Sequence, residues 1–386
     1  MEPVSERAAP DSSAAPDVAV PPKRASRTRK SYLLALGVVL VAWTMGLFGA
    51  YVGVRVAESN RTPARVASTL GLVKVPPRTA PLPALNVFEV ASTIAPSVVS
   101  ITAVTRSGEL VGQASGSGVV LTADGEIITN AHVIQGAVTV TVRVPGETEP
   151  RGAVVLASDV GRDLALLRID ADGLVPAKFA DAGDIRVGDE VVAVGYALDL
   201  DGDPSVTVGI VSALDRTSAD DIRALKGLIQ TDAPISSGNS GGPLVNSLGQ
   251  VVGITTFVAV GKPGTTATDL GFAISNAELL PGIELLRLAA GGDVQAAGFL
   301  GVGLTNRVDG GSGALVTEVV KGSPAEEAGV RVGDTIVAID GVQITGRAGL
   351  VATIRDVQPG VEITIDVRRG GTAVTLQATL AERPAD

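Results

Sequence analysis

Cysteine is absent from this 386-residue chain, and histidine occurs once, as His132. The first absence excludes disulfides and thiolate metal sites, and it leaves the compartment open, because a cysteine-free domain needs no particular redox environment. The second leaves one candidate for any acid–base chemistry run through imidazole, the side chain suited to proton transfer near neutrality. Aromatic residues make up only 3% of the chain, while Gly, Val and Ala abound, a balance that points to strands packed with aliphatic side chains and joined by tight turns. Net charge is −10; residues 1–30 carry six basic and four acidic groups, which leaves −12 on the rest. An acidic body argues against nucleic acid as a partner.

Charge is also missing between Leu33 and Val54. At about 1.5 Å of rise per residue that run crosses the bilayer hydrocarbon, and it reads as one transmembrane helix within an anchor over 31–55. Lys23, Arg24, Arg27, Arg29 and Lys30 precede it and only Arg55 follows closely, which places the N-terminus in the cytoplasm and the rest outside. A cleaved signal peptide is the alternative, but its apolar core is usually about 7 to 15 residues, and no convincing Ala-x-Ala site is present. Residues 1–30, rich in Pro, Ala and Ser, read as a disordered cytoplasmic tail. Residues 56–85, with Pro63, Pro76, Pro77, Pro81 and Pro83, read as a stiff, extended tether.

A short helix is expected from Val87 to Ile94, stopped by Pro96, after which the period becomes two. Strands are expected at 98–104, 118–122, 126–129, 138–144, 153–157 and 164–169, with Asp124-Gly125 turning one hairpin. A second set follows at 190–194, 206–213, 228–231, 243–246, 251–257 and 271–274. Two batches of six short strands predict a mainly β chain with two six-stranded antiparallel β-barrels. A helix kinked by Pro281 follows and ends at Gly291-Gly292. From 296 a smaller α+β unit begins, with strands at 301–304, 314–320, 335–339, 362–368 and 373–379. Ser323-Pro324-Ala325-Glu326 is a capping box opening a short helix, and 346–357 a longer one.

His132 lies just after a strand, in Thr129-Asn130-Ala131-His132-Val133-Ile134, where a tight helical turn presents the ring at a barrel edge. Asp163 stands immediately before the strand Leu164-Ala165-Leu166-Leu167. Ser240 lies in Gly238-Asn239-Ser240-Gly241-Gly242-Pro243, where Gly238 lets the backbone bend so that the amides of Gly238 and Ser240 point at one spot, an oxyanion hole. A nucleophile, a base and a carboxylate that fixes the base's tautomer are the parts of a serine-hydrolase triad. The carboxylates Asp199, Asp201 and Asp203 alternate, but their spacing does not complete an EF-hand and they read as a solvated loop. No metal or cofactor is called for.

The order His132, Asp163, Ser240 resembles the chymotrypsin-like serine proteases. Together with Ile229-Gln230-Thr231-Asp232-Ala233, the three motifs more narrowly resemble the HtrA (Deg) family, over roughly residues 86 to 382. The resemblance implies a trypsin-like protease domain over 86–278, a helical linker over 279–295 and a PDZ domain over 296–382. It implies His132 as general base, Asp163 as its orienting partner and Ser240 as nucleophile. It also implies a substrate pocket bounded by Ile254, Thr255, Thr256, Gly271, Phe272 and Ala273, suited to small or medium apolar residues. Phe299-Leu300-Gly301-Val302 resembles a PDZ carboxylate-binding loop, in which the amides of Leu300, Gly301 and Val302 would hold a C-terminal peptide carboxylate. Leu350 and Ile354 would line its apolar pocket or serve simply as core. One anchor plus one PDZ unit resembles the DegS-like architecture. The function implied is an anchored, extracytoplasmic serine endopeptidase of a bacterial-type cell membrane, acting on unfolded or regulatory envelope proteins, and the family implies a homotrimer. The competing reading is a PDZ adaptor or chaperone whose protease fold is silent.

Overall fold

The computed structural model describes residues 81–107, 110–197, 202–219, 223–258 and 270–383. The expected transmembrane run, the N-terminal tail, most of the tether, and Asp199 and Asp201 lie outside these residues. Among the described residues no helix is long and apolar enough to cross a membrane.

Strands β1 (Val98–Ser107), β2 (Leu110–Val120), β3 (Glu126–Thr129), β4 (Ala137–Arg143), β5 (Arg151–Asp159) and β6 (Leu164–Ile169) close into a barrel in the order β1-β2-β3-β6-β5-β4. A second barrel, ordered β10-β11-β12-β9-β8-β7, is built from β7 (Glu190–Gly195), β8 (Ser205–Ala219), β9 (Ala224–Thr231), β10 (Pro243–Val245), β11 (Val251–Val258) and β12 (Gly271–Ser275). β1 and β2 form a longer hairpin than the strands expected at 98–104 and 118–122, with a ladder that runs to the Ser107–Leu110 pair. β8 and β9 extend in the same way, to Ala219 opposite Ala224.

Burial explains why β6 reads as an unbroken apolar run. Ala165, Leu167 and Ile169 point into the first barrel with Val99, Ile101 and Ile127. Leu164 and Leu166, one step out of phase, join Val98, Val119, Val192, Val194 and Ile254 in the core between the barrels. A strand buried on both faces loses the polar alternation of a half-exposed one. The second barrel's interior holds Val191, Val211, Ile229 and Leu244.

Helix α1 (Val87–Ile94) is capped by the Asn86 side chain, which accepts from the Glu89 amide at 3.3 Å. After it comes α2 (Ala131–Ile134), a single turn, and then α3 (Asn276–Ala290). The helix expected as a linker is a docked part of the barrel body. It begins at Asn276, whose amide nitrogen donates to the Ala180 and Val251 carbonyls at 2.7 Å. Its Leu279, Ile283 and Leu286, at helical spacing, enter the inter-barrel core. Arg287 reaches back to Glu126 of the first barrel at 2.8 Å, so α3 clasps both.

The third unit carries β13 (Gly298–Phe299) paired with β20 (Ala381–Glu382), and a sheet β14-β15-β16-β18-β19 with β17 on β16. These strands are β14 (Val302–Asn306), β15 (Ala314–Val319), β16 (Thr335–Ile339), β17 (Val342–Gln343), β18 (Glu362–Arg369) and β19 (Thr372–Thr379). Its helices are α4 (Pro324–Glu327), capped by Ser323 as expected, and α5 (Arg347–Arg355). Two-residue strands such as β13 and β20 are too short for a periodic signal.

The end of α5 is bound to the barrels through charge. Arg162 Nη2 lies 2.7 Å and Lys226 Nζ 2.8 Å from the Asp356 carboxylate, and Arg355 Nη1 donates to the Ala224 carbonyl at 3.1 Å. Burial pushes Asp356 upward, but Arg355, Arg162 and Lys226 together outweigh it and hold the group below the usual carboxylate range. Glu278 on α3 is 3.8 Å from the same lysine. There burial, aided by Asp356, prevails over Lys226, Arg355 and Arg162 and pushes the carboxyl up.

The two carboxylates therefore act on stability in opposite senses. Asp356 stabilises the fold above the ordinary carboxylate range, and that contribution is lost as pH falls through its lowered folded value. Glu278 is most favourable when protonated, and its contribution is lost as pH rises through its raised folded value. At pH 7, Asp356→Asn is expected to lower the melting temperature and Glu278→Gln to leave it unchanged or raise it. Calorimetric scans should show both differences shrinking toward acid pH; a Glu278→Gln protein less stable than the parent at neutrality would contradict the assignment.

Candidate active site

The three residues singled out by motif meet where the barrels adjoin. His132 stands on α2, immediately after β3. Asp163 ends the turn into β6 with φ 56, a left-handed conformation that Asp tolerates better than most side chains. The turn is held by Asp163 N donating to Val160 O at 3.2 Å and by the Asn130 side chain donating to Asp163 O at 3.0 Å. The Asp163 side chain is fully buried, at 0% exposure, and its oxygens are supplied with donors. His132 N donates to Oδ1 at 3.1 Å, His132 Nδ1 lies 2.9 Å from both oxygens, and Thr256 Oγ1 donates to Oδ2 at 2.6 Å. Arg223 Nη1 adds a positive charge 3.5 Å from Oδ2. With Nδ1 donating to a carboxylate, the neutral ring carries its lone pair on Nε2.

The Ser240 turn is held from both barrels. Gly241 N donates to Thr255 O, Thr255 N to Gly242 O and Gly242 N to Asn239 O, at 2.9, 2.9 and 2.8 Å. Thr255 Oγ1 donates to the Asn239 and Gly242 carbonyls at 2.5 and 3.0 Å. From the other side, Ser117 of β2 donates its N–H to Ser240 O at 2.8 Å and its hydroxyl to Gly238 O at 2.7 Å, and accepts from Tyr196 N at 2.8 Å. Only glycine fits at 241, since a Cβ there would stand 2.2 Å from Ser117 O and the backbone has φ 83. Ser240 Oγ donates to the Thr256 carbonyl at 3.0 Å. Asn239 N is taken by Ser236 O, whereas the amides of Gly238 and Ser240 meet no protein acceptor among the described residues.

Thr256 thus touches the Asp163 carboxylate with its side chain and the Ser240 hydroxyl with its carbonyl. It can do so because the β11–β12 ladder slips here: Thr255 pairs with Ala273 and Phe257 with Phe272, leaving Thr256 as the extra residue of a bulge.

The six residues expected around the substrate pocket lie in different surroundings. Ile254 is fully buried in the inter-barrel core and Ala273 in the second barrel, Thr255 underpins the Ser240 turn, and Thr256 bonds to Asp163 and Ser240. Of the six, Gly271 and Phe272 lie on the strand facing the end of β11, and Ile235 packs so closely over Gly271 that a Cβ there would be 2.6 Å away. Ser117 and Arg223 were not singled out by sequence. For Ser117 the signal was Gly116-Ser117-Gly118, since glycines inside a strand mark close backbone approach.

In the third unit, Leu300 O accepts from Ala325 N and Gly301 O from Val320 N, both at 2.9 Å, and Gly301 has φ 83. Val302 opens β14, which lies at the edge of its sheet. Leu350 and Ile354 are buried in the unit's core with Leu300. Among the described residues no cluster of His and carboxylates stands at metal-binding spacing.

Residues 116–254 match the family profile of a trypsin-like peptidase domain and 298–380 that of a PDZ domain. A Bacillus subtilis protein described as serine protease Do-like HtrB is 35% identical over 344 residues, covering 79% of this chain and 73% of that protein. A Chlamydia trachomatis protein described as a probable periplasmic serine endoprotease, DegP-like, is 34% identical over 280 residues, covering 70% of this chain and 54% of its own. The chain thus spans about half the length of such DegP-like relatives. The solved structure of the HtrA-type protease AlgW with tripeptide aligns with a TM-score of 0.63 at 29% identity, over 78% of this chain and 98% of that one.

Replacing Ser117 by Ala leaves Gly238 O and Tyr196 N without their buried partner. Chemical denaturation should show a loss of about 1–3 kcal/mol, and an unchanged midpoint would show that Ser117 does not hold the turn.

Proposed function

Because the chain belongs to the HtrA family of serine proteases, we propose that it is a serine endopeptidase acting through an acyl-enzyme. One observation carries this reading: a fully buried carboxylate orients the only imidazole of the chain, and Thr256 holds both that carboxylate and the hydroxyl of Ser240. In the reaction Ser240 Oγ exchanges the Thr256 carbonyl for His132 Nε2 as acceptor and attacks the peptide carbonyl as the ring takes its proton. The amides of Gly238 and Ser240 receive the oxyanion, the ring passes its proton to the leaving amine, and water attacks the ester by the same route in reverse. Asp163 keeps the ring in the right tautomer and stabilises its protonated form. Gly271, Phe272 and Ile235 offer an apolar wall, which favours small or medium apolar side chains at the cleaved position.

The edge strand β14 and the loop Leu300-Gly301-Val302 would bind an extended C-terminal peptide, the loop amides receiving its carboxylate. The uncharged run of 33–54 would tether the enzyme to the membrane with its folded domains outside the cytoplasm, where the DegP-like relatives are described as periplasmic. Its substrates would be misfolded or regulatory envelope proteins, and its assembly a homotrimer. The competing reading, a PDZ adaptor or chaperone with a silent protease domain, is favoured by the bond from Ser240 Oγ to Thr256 O, which turns the hydroxyl proton away from the imidazole.

A fluorophosphonate probe separates the two. The parent protein should be labelled and Ser240→Ala should not, with casein hydrolysis lost in parallel. Asp163→Asn preserves the left-handed turn and should lower kcat by about 10⁴-fold, as in the template serine protease. Persistent hydrolysis by purified Ser240→Ala would exclude this mechanism.

Peptide binding has its own test. A peptide with a free apolar C-terminus should bind by calorimetry and its amidated form should not; equal affinities would remove the carboxylate-binding role of Leu300, Gly301 and Val302.

A further inference from the structure

The carboxylate of Asp163 is satisfied by neutral donors before Arg223 is considered. Oδ1 accepts from the His132 backbone and ring, and Oδ2 from Thr256 and the ring. Arg223, 3.5 Å from Oδ2, is beyond hydrogen-bond length there, so what it contributes at this oxygen is charge. It stands on the residue before β9, whose first carbonyl, at Ala224, is held by Arg355. The other charged neighbour, Arg162, is turned to Asp159 and Asp356. β11 and the Ser240 turn bring neutral groups, and among the described residues only His132 and Arg223 are ion-paired with Asp163.

When the ring is protonated, two cations meet at one carboxylate. The guanidinium weakens the hold of Asp163 on the imidazolium and repels it directly, while the neutral ring is little affected. Resting on the proteolytic reading above, we propose that Arg223 is a positioning residue for the triad, a fixed cation on Asp163 that keeps His132 in its neutral, proton-accepting form at lower pH and makes the protonated ring a readier donor to the leaving amine. The sequence alone gave no pointer to it, since Arg223 is 60 positions from Asp163 and belongs to none of the four motifs.

The single histidine permits a direct test. In the full-length chain labelled with ¹³C in the histidine ring, one imidazole signal reports the titration of His132. The midpoint in Arg223→Gln should rise by about half a pH unit or more relative to the parent. Arg223→Lys should restore most of the difference, and the acid limb of kcat/KM should move in the same direction and by a similar amount. A merely structural role would change activity or stability without moving the midpoint. Should the Gln variant fold poorly, Arg223→Met makes the same comparison. A parent that hydrolyses casein and takes the fluorophosphonate probe, while the neutral variants leave both the ring titration and the acid limb in place, overturns the role of Arg223 alone. A parent that does neither overturns the proteolytic reading, and this role with it.

Discussion

A fully buried carboxylate is the constraint around which the rest of the site is arranged. Removing an ionised group from water costs several kcal/mol unless the protein replaces the lost hydration with donors and opposite charge. Asp163 receives that replacement from every side: the backbone and ring of His132, the Thr256 hydroxyl and the Arg223 guanidinium. The demands of the carboxylate decide the tautomer of the ring, whose Nδ1 lies 2.9 Å from both its oxygens. The orientation of the base is thus a by-product of satisfying a charge that cannot leave.

The Ser240 turn is governed by a different demand, that of backbone groups where two barrels meet. The Ser240 turn is irregular and largely buried, so its carbonyls and amides need partners that a ladder cannot provide. Ser117 supplies them from the first barrel and Thr255 from the second. Each barrel contributes bonds that the other does not. The inter-barrel core of Leu164, Leu166, Val192, Val194 and Ile254, closed over by α3, fixes the separation at which both sets of bonds can form. Packing far from Ser240 therefore sets the geometry at Ser240, since interiors at crystal-like density leave little room for relative movement.

What could be read in the chain divides along the range of the interactions. The twelve barrel strands were legible because each carries its own periodic or continuous apolar signal, and His132, Asp163 and Ser240 because each sits in a distinctive local motif. Ser117, Thr256 and Arg223 were not assigned these roles, because their partners are remote: 121 residues separate Ser117 from Gly238 and 93 separate Thr256 from Asp163. Leu350 and Ile354 have a helical spacing that suits groove and core equally, and only packing separates the two. The docking of the helix expected as a linker over 279–295 was not legible for a similar reason. The apolar face of α3 at Leu279, Ile283 and Leu286 shows that the helix is docked only once a surface to dock on is known.

The place of Thr256 has a more specific origin, an irregularity in its own strand. Alternation along a strand assigns faces by counting in twos, and one inserted residue reverses every assignment beyond it. The bulge at Thr256 is such an insertion: the pairs Thr255–Ala273 and Phe257–Phe272 bracket a residue with no partner opposite. A regular strand would have committed the Thr256 carbonyl to the ladder and its side chain to one sheet face. Released from both, Thr256 turns its hydroxyl to Asp163 and its carbonyl to Ser240. The irregularity that defeats the count of alternating residues is the one that joins Asp163 and Ser240 through a single residue's side chain and its own carbonyl.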